Sequence, residues 1–111
     1  MIILLVEDDK DLLAELVDSL VEYGHTVIPF ANAEEALDSL TNLSIEALIT
    51  DMRLPGISGK QLIAKAAVLN PLIHCVLISG HIPETEYSEN YHILSKPFSI
   101  NLLLTYLNFK L

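Results

Sequence analysis

The chain has 111 residues, 51% of them hydrophobic, with 15 Asp and Glu against 6 Lys and Arg for a formal charge of −9. That length suits one domain around a single core and leaves no room within it for an attached DNA-binding or catalytic module. The acidic balance disfavours contact with a nucleic-acid backbone, and no apolar run approaches the roughly 20 residues of a membrane span.

Residues 2–6, IILLV, are a continuous apolar run, the pattern of a strand covered on both faces. They follow no basic stretch and precede no small-residue cleavage site, so the N-terminus reads as a strand and not a signal peptide, and a cytoplasmic protein is expected. Leu12, Leu13, Leu16, Val17, Leu20 and Val21 then repeat at helical spacing, with Gly24 placed to stop the helix. HTVIPF is a second, shorter strand, and Pro29 within it argues for an edge or a strand end. Asn32 can cap a helix carrying Ala33, Ala36, Leu37 and Leu40.

A third strand, residues 45–50, runs into Asp51. After the turn RLPGISG comes a helix with Leu62, Ile63, Ala66, Ala67 and Leu69, closed by Asn70 and Pro71. Residues 72–79, LIHCVLIS, form a fourth apolar strand. Cys75 and His74 inside it read as buried core residues, and a lone cysteine permits neither a disulfide framework nor a thiolate metal site. Residues 80–91 allow at most a short helix, because Pro83 and a polar string interrupt them. HIL at 92–94 is a brief fifth strand, and SINLLLTYLNFKL a terminal helix capped by Ser99. Strands alternating with helices predict an α/β domain over residues 1–111, with a parallel sheet covered on both faces.

In such a sheet, functional groups gather beyond the carboxyl ends of the strands. Those ends carry Glu7 and Asp8, then Asp51, Ser79 and Lys96. Clustered carboxylates on a rigid rim suit a hard divalent cation such as Mg²⁺. A carboxylate can also act as a nucleophile toward phosphorus, with a cation, an ammonium and a hydroxyl neutralising the transferred group.

With VEDD, DMRLPGISG, LISG and SKPF in this order and on these elements, the chain resembles a response-regulator receiver domain over essentially its whole length. The resemblance implies a doubly wound, flavodoxin-like (βα)₅ fold with strand order 2-1-3-4-5. It implies that Asp51 accepts a phosphoryl group from a phosphohistidine on a sensor histidine kinase or histidine phosphotransfer protein. Asp8, Asp51 and the Arg53 backbone carbonyl would hold Mg²⁺, Glu7 would act through a metal-bound water, Lys96 would pair with phosphoryl oxygens, and Ser79 would be the switch hydroxyl. The peptide bond before Pro97 is cis in the family, and Asp9 is left to the helix N-terminus. Arg53 and His81 would flank the path of the attacking water and set the lifetime of the phosphorylated state.

The chain departs from the family pattern twice. Ser79 and Lys96 are only 17 residues apart, which places the shortening in the fourth helix, and Ile93 stands where an aromatic usually lies three residues before the lysine. In the terminal helix, Ile100, Leu103, Leu104, Leu107 and Leu111 line one face, while Leu102, Tyr106 and Phe109 line the opposite one. That second stripe is the expected contact with an output protein or a second copy. The expected role is a phosphorylatable switch and not a turnover enzyme, either free-standing or as the receiver of a hybrid sensor kinase. Two alternatives are a Mg²⁺-dependent phosphatase or phosphotransferase, which usually has an acid where Arg53 stands, and a phosphorylation-independent interaction module. No nucleic-acid partner or membrane insertion is expected.

Overall fold

The computed structural model describes residues 1–41, 44–80 and 88–108. Its elements alternate as the pattern predicts as far as β4: β1 (Ile2–Val6), α1 (Lys10–Glu22), β2 (Thr26–Phe30), α2 (Ala33–Leu40), β3 (Ala47–Asp51), α3 (Gly59–Leu69), β4 (His74–Ser79), then β5 (His92–Ser95) and α4 (Ile100–Asn108). All strands pair in parallel in the order β2-β1-β3-β4-β5. The segment expected to carry the shortened fourth helix falls mostly within 81–87, outside the described residues, and four helices lie within them.

Alternate side chains of the central strands feed two cores. Leu4, Val6, Leu48, Cys75 and Leu77 meet α2 and α3 on one face; Ile3, Leu5, Ile49, Val76 and Ile78 meet α1 and α4 on the other. Covered on both sides, β3 and β4 are buried at every position, which is why they read as unbroken apolar runs. β2 is an edge strand, and Pro29 in it sits opposite Leu5.

Two strands begin later than their apolar runs suggest, for the same reason. Asn70, the C-cap of α3, donates its side-chain amide to the Ile45 carbonyl at 3.0 Å and accepts the Leu72 N–H at 3.2 Å, while the Ile73 N–H donates to its carbonyl. The Ile45 carbonyl is therefore bound by Asn70, Leu72 lies in the turn after α3, and the ladders begin beyond them.

The amino edge of the sheet is knit by backbone bonds: Thr26 N–H to the Met1 carbonyl, Glu46 N–H to Ile2 and His74 N–H to Glu46, each 2.9–3.0 Å. Helix starts at the other edge are capped by side chains. Asp9 accepts the N–H groups of Asp11 and Leu12, Asn32 that of Glu35, Ser99 that of Leu102, and Ser58 forms a reciprocal capping box with Gln61. No helix of the described residues is long and apolar enough to cross a membrane.

Candidate functional site

Four strand ends deliver the candidate residues to one rim. Glu7 follows β1 and continues its pairing, its N–H donating to the Phe30 carbonyl at 3.1 Å, so its side chain is held where the strand aims it, at 2% exposure. Asp51 closes β3 and is 7% exposed; Ser79 closes β4 and is 2% exposed. Ser95 sits opposite Ser79, and the next residue, Lys96, donates its backbone N–H to the Ser79 carbonyl at 2.8 Å. The Lys96–Pro97 peptide bond is cis.

These ends bring Lys96 to the carboxylates. Its Nζ lies 2.9 Å from an oxygen of Glu7 and 2.9 Å from Oδ2 of Asp51. The other Asp51 oxygen accepts the Arg53 N–H at 3.2 Å, and the other Glu7 oxygen accepts the Asp9 N–H at 3.2 Å. Asp8 is exposed beside them, and oxygens of Glu7, Asp8 and Asp51 all lie within 4.8 Å of one another.

Electrostatics follow from this crowding. Burial, first, and the neighbouring Asp51 carboxylate push the Glu7 carboxyl up to about 7, against the pull of Lys96 and the Asp9 N–H. Lys96 is held above its ordinary value: burial opposes its charge, but its hydrogen bonds to Glu7 and Asp51 and their negative charges outweigh that cost. An all-oxygen donor set, two of its three members buried on strand ends, suits a hard divalent cation that keeps part of its water shell.

The positions expected to matter divide into three groups. Glu7, Asp51 and Lys96 are brought together directly, with Asp8 beside them and Ser79 at the adjoining strand end. Arg53 is exposed on the loop after Asp51, which it meets through its backbone N–H, and Asp9 caps α1. His81 and Phe109 lie outside the described residues. In α4, Leu103 and Leu107 are buried as the face reading requires, and Leu102 is 40% exposed. Tyr106, expected on the partly exposed opposite face, is half-buried, packed against the sheet core with its ring stacked on His92 at 4.6 Å between centroids. Through His92 the ring reaches β5, an edge strand of the sheet.

Three supporting residues escape a reading of charges alone. Gly59 opens α3 against the end of β3: a Cβ there would run into the Asp51 carbonyl oxygen and lie 2.8 Å from its carbon. Thr50 donates its hydroxyl to that same carbonyl at 3.0 Å. Glu34 accepts the Ile57 N–H at 3.3 Å and lies over Gly56, whose φ of +82° is one glycine adopts without strain. The signal for this loop was its glycine spacing and the Ser58-x-x-Gln61 capping pattern.

Comparison with known proteins adds to this geometry. A family model described as "Response regulator receiver domain" matches residues 3–108. The chain is 34% identical over 107 residues to the C4-dicarboxylate transport transcriptional regulatory protein DctD of Rhizobium meliloti, covering 92% of this chain and 23% of that one. It is 31% identical over 107 residues to the response regulator receiver protein CpdR of Brucella abortus, covering 92% of this chain and 89% of that one. Among solved structures, the receiver domain of the hybrid histidine kinase CckA superposes with a TM-score of 0.84 at 30% identity, covering 97% of this chain and 96% of that one.

Proposed function

We propose that this chain, which belongs to the response regulator receiver domain family, accepts a phosphoryl group on Asp51 from the phosphohistidine of a sensor kinase or phosphotransfer protein in the cytoplasm and thereby switches the state of a partner. The observation that carries this reading is the bridge from Lys96 to Glu7 and Asp51, 2.9 Å on each side, within a cluster of three carboxylates. A nucleophilic carboxylate needs positive charge close by but must keep an oxygen available for attack, and a flexible lysine stem can yield the oxygen while staying near.

In the proposed reaction an Asp51 oxygen attacks phosphorus in line with the scissile bond. The P–N bond breaks, and the donor imidazole takes up a proton as it leaves. Lys96 follows the charge from the carboxylate to the phosphoryl oxygens, and the Ser79 hydroxyl, at the end of the next strand, donates to them. Asp8, Asp51 and the Arg53 carbonyl would hold Mg²⁺, with Glu7 acting through a metal-bound water, and the ion would neutralise phosphoryl charge. Arg53, exposed beside Asp51, and His81 are our candidates for controlling the approach of water and so the lifetime of the product.

Acetyl phosphate with Mg²⁺, followed by intact-mass measurement, tests the reading. One phosphoryl adduct is expected on the wild type and none on Asp51→Asn. Sustained turnover of a phosphoester, or an adduct that persists in Asp51→Asn, would overturn it.

A further inference from the structure

The loop between β3 and α3, residues 52–58, carries the Arg53 carbonyl. Both of its ends are fixed by bonds to the sheet and to α3. The Met52 N–H donates to the Ile78 carbonyl at 2.7 Å, and the Arg53 N–H to the Asp51 carboxylate at 3.2 Å. At the far end Ser58 caps α3, and the Gly59 N–H returns to the Met52 carbonyl at 2.9 Å. Between these anchors run Leu54, Pro55, Gly56 and Ile57, of which Leu54 and Ile57 pack, half-buried, against the core beneath α2 and α3.

Freedom in this segment gathers at one residue. Pro55 locks its own φ and keeps Leu54 extended, whereas Gly56 can take either sign of φ. With Pro second and Gly third, Leu54 to Ile57 has the residue order of a type II turn, and the Gly56 φ of +82° is what that turn demands of its third position. Such a turn is commonly closed by the fourth N–H on the first carbonyl. Here the Ile57 N–H donates instead to Oε1 of Glu34, 23 residues away on α2, at 3.3 Å. The same carboxylate covers Gly56: a Cβ there would run into Oε1 and stand 3.3 Å from Oε2. Glu34 lies in the first turn of α2, just after the Asn32 cap, so its backbone is held by a helix end that also favours negative charge.

We propose that Glu34 is a positioning residue for the cation site: by closing the turn at Gly56 and Ile57 it fixes the loop that presents the Arg53 carbonyl. This role rests on the reading above, in which Asp8, Asp51 and that carbonyl hold Mg²⁺. Glu34 is not itself a ligand and acts only through the loop. A rotation at Gly56 would carry the short, stiff stretch from Pro55 back to Arg53 with it, and Mg²⁺ tolerates little departure from octahedral geometry. Groups behind the ligands of a metal contribute to affinity by holding those ligands in place.

The test is a Mg²⁺ titration of the unphosphorylated chain followed by amide NMR, on wild type, Glu34→Ala, Glu34→Gln and Glu35→Ala. Both positions are exposed on α2, so the variants keep the fold. Glu34→Ala should weaken Mg²⁺ binding about tenfold, the lower end of what such supports contribute. Before any metal is added it should also shift the Arg53, Gly56 and Ile57 amide signals. Glu34→Gln keeps an acceptor oxygen and should bind like wild type. Glu35→Ala removes the same charge from the next residue and should also bind like wild type. Unchanged affinity in Glu34→Ala overturns the proposal, and so does an equal loss in Glu34→Gln or Glu35→Ala, which would assign the effect to charge. A wild type that takes no Mg²⁺ at the rim overturns the underlying reading and this role with it, whereas a wild type that binds beside a Glu34→Ala that binds equally removes the role of Glu34 alone.

Discussion

Gly59 shows how little slack surrounds the candidate phosphoacceptor. Its backbone N–H donates to the Met52 carbonyl at 2.9 Å, and its missing side chain lets the start of α3 lie against the Asp51 carbonyl. Gly59→Ala should cost about 2–3 kcal/mol of stability by overpacking, read by urea unfolding. It should also slow labelling of Asp51 by acetyl phosphate, because relief comes only by shifting β3 or α3; unchanged stability and labelling would show that the two elements part freely. Cys75 tests the interior. Burial pushes its thiol up to about 12, so the reactive thiolate is scarce at neutral and mildly alkaline pH. Iodoacetamide should leave the native chain unlabelled from pH 7 to 9, whereas in denaturant labelling should rise through the ordinary thiol range near 8.5. Labelling of the native chain at pH 8 would show that β4 opens.

At the scale of elements, the last strand and helix carry the chain's individuality. Ile93 occupies the position where the family pattern has an aromatic, while Tyr91, two residues earlier and so on the same face of the strand, packs against the α2 and α3 core. On the other face His92 stacks on Tyr106 and so ties β5 to α4. Tyr106 is thus part of the packing, and Leu102 is the cleaner probe of the proposed output face. Leu102→Glu should leave unfolding within about 0.5 kcal/mol of wild type while abolishing any self-association seen by sedimentation of the phosphorylated chain; a dimer that survives the change places the contact elsewhere. Elements were legible where one kind of signal sufficed. Apolar runs located all five strands, and Asp9, Asn32 and Ser99 marked helix starts. What escaped was set by partners remote in sequence: the Asn70 bond to Ile45 delays β3, and the ring of Tyr106 turns inward because His92 waits there. The acidic residues and Lys96 could be read as one site because strand ends in a parallel sheet share an edge. Gly59 could not, since its importance lies in an atom it lacks.

For the whole molecule, the carboxylate cluster is an electrostatic cost that the proposed function would explain. Oxygens of Glu7, Asp8 and Asp51 within 4.8 Å repel one another, and Lys96 answers two of the three. Mg²⁺ should therefore raise the melting temperature, by the equivalent of about 1.4 kcal/mol when present at ten times its dissociation constant. Asp8→Asn should melt higher than wild type in EDTA and lose the Mg²⁺ increment. An equal increment in both proteins would mean that the ion acts elsewhere.

The bridge at Lys96 also has a meaning in time. Its contact with Asp51 spans 45 residues and that with Glu7 spans 89. Contacts between such distant positions form late, after the loops between them have closed. On a ribosome, Glu7 and Asp51 would emerge and wait, two acids without their cation, until the fifth strand arrived beside the fourth. A chain able to receive the proposed phosphoryl group is therefore one already folded from its first strand to its last. On the proposed function, a chain whose fifth strand has not docked would not be labelled by acetyl phosphate.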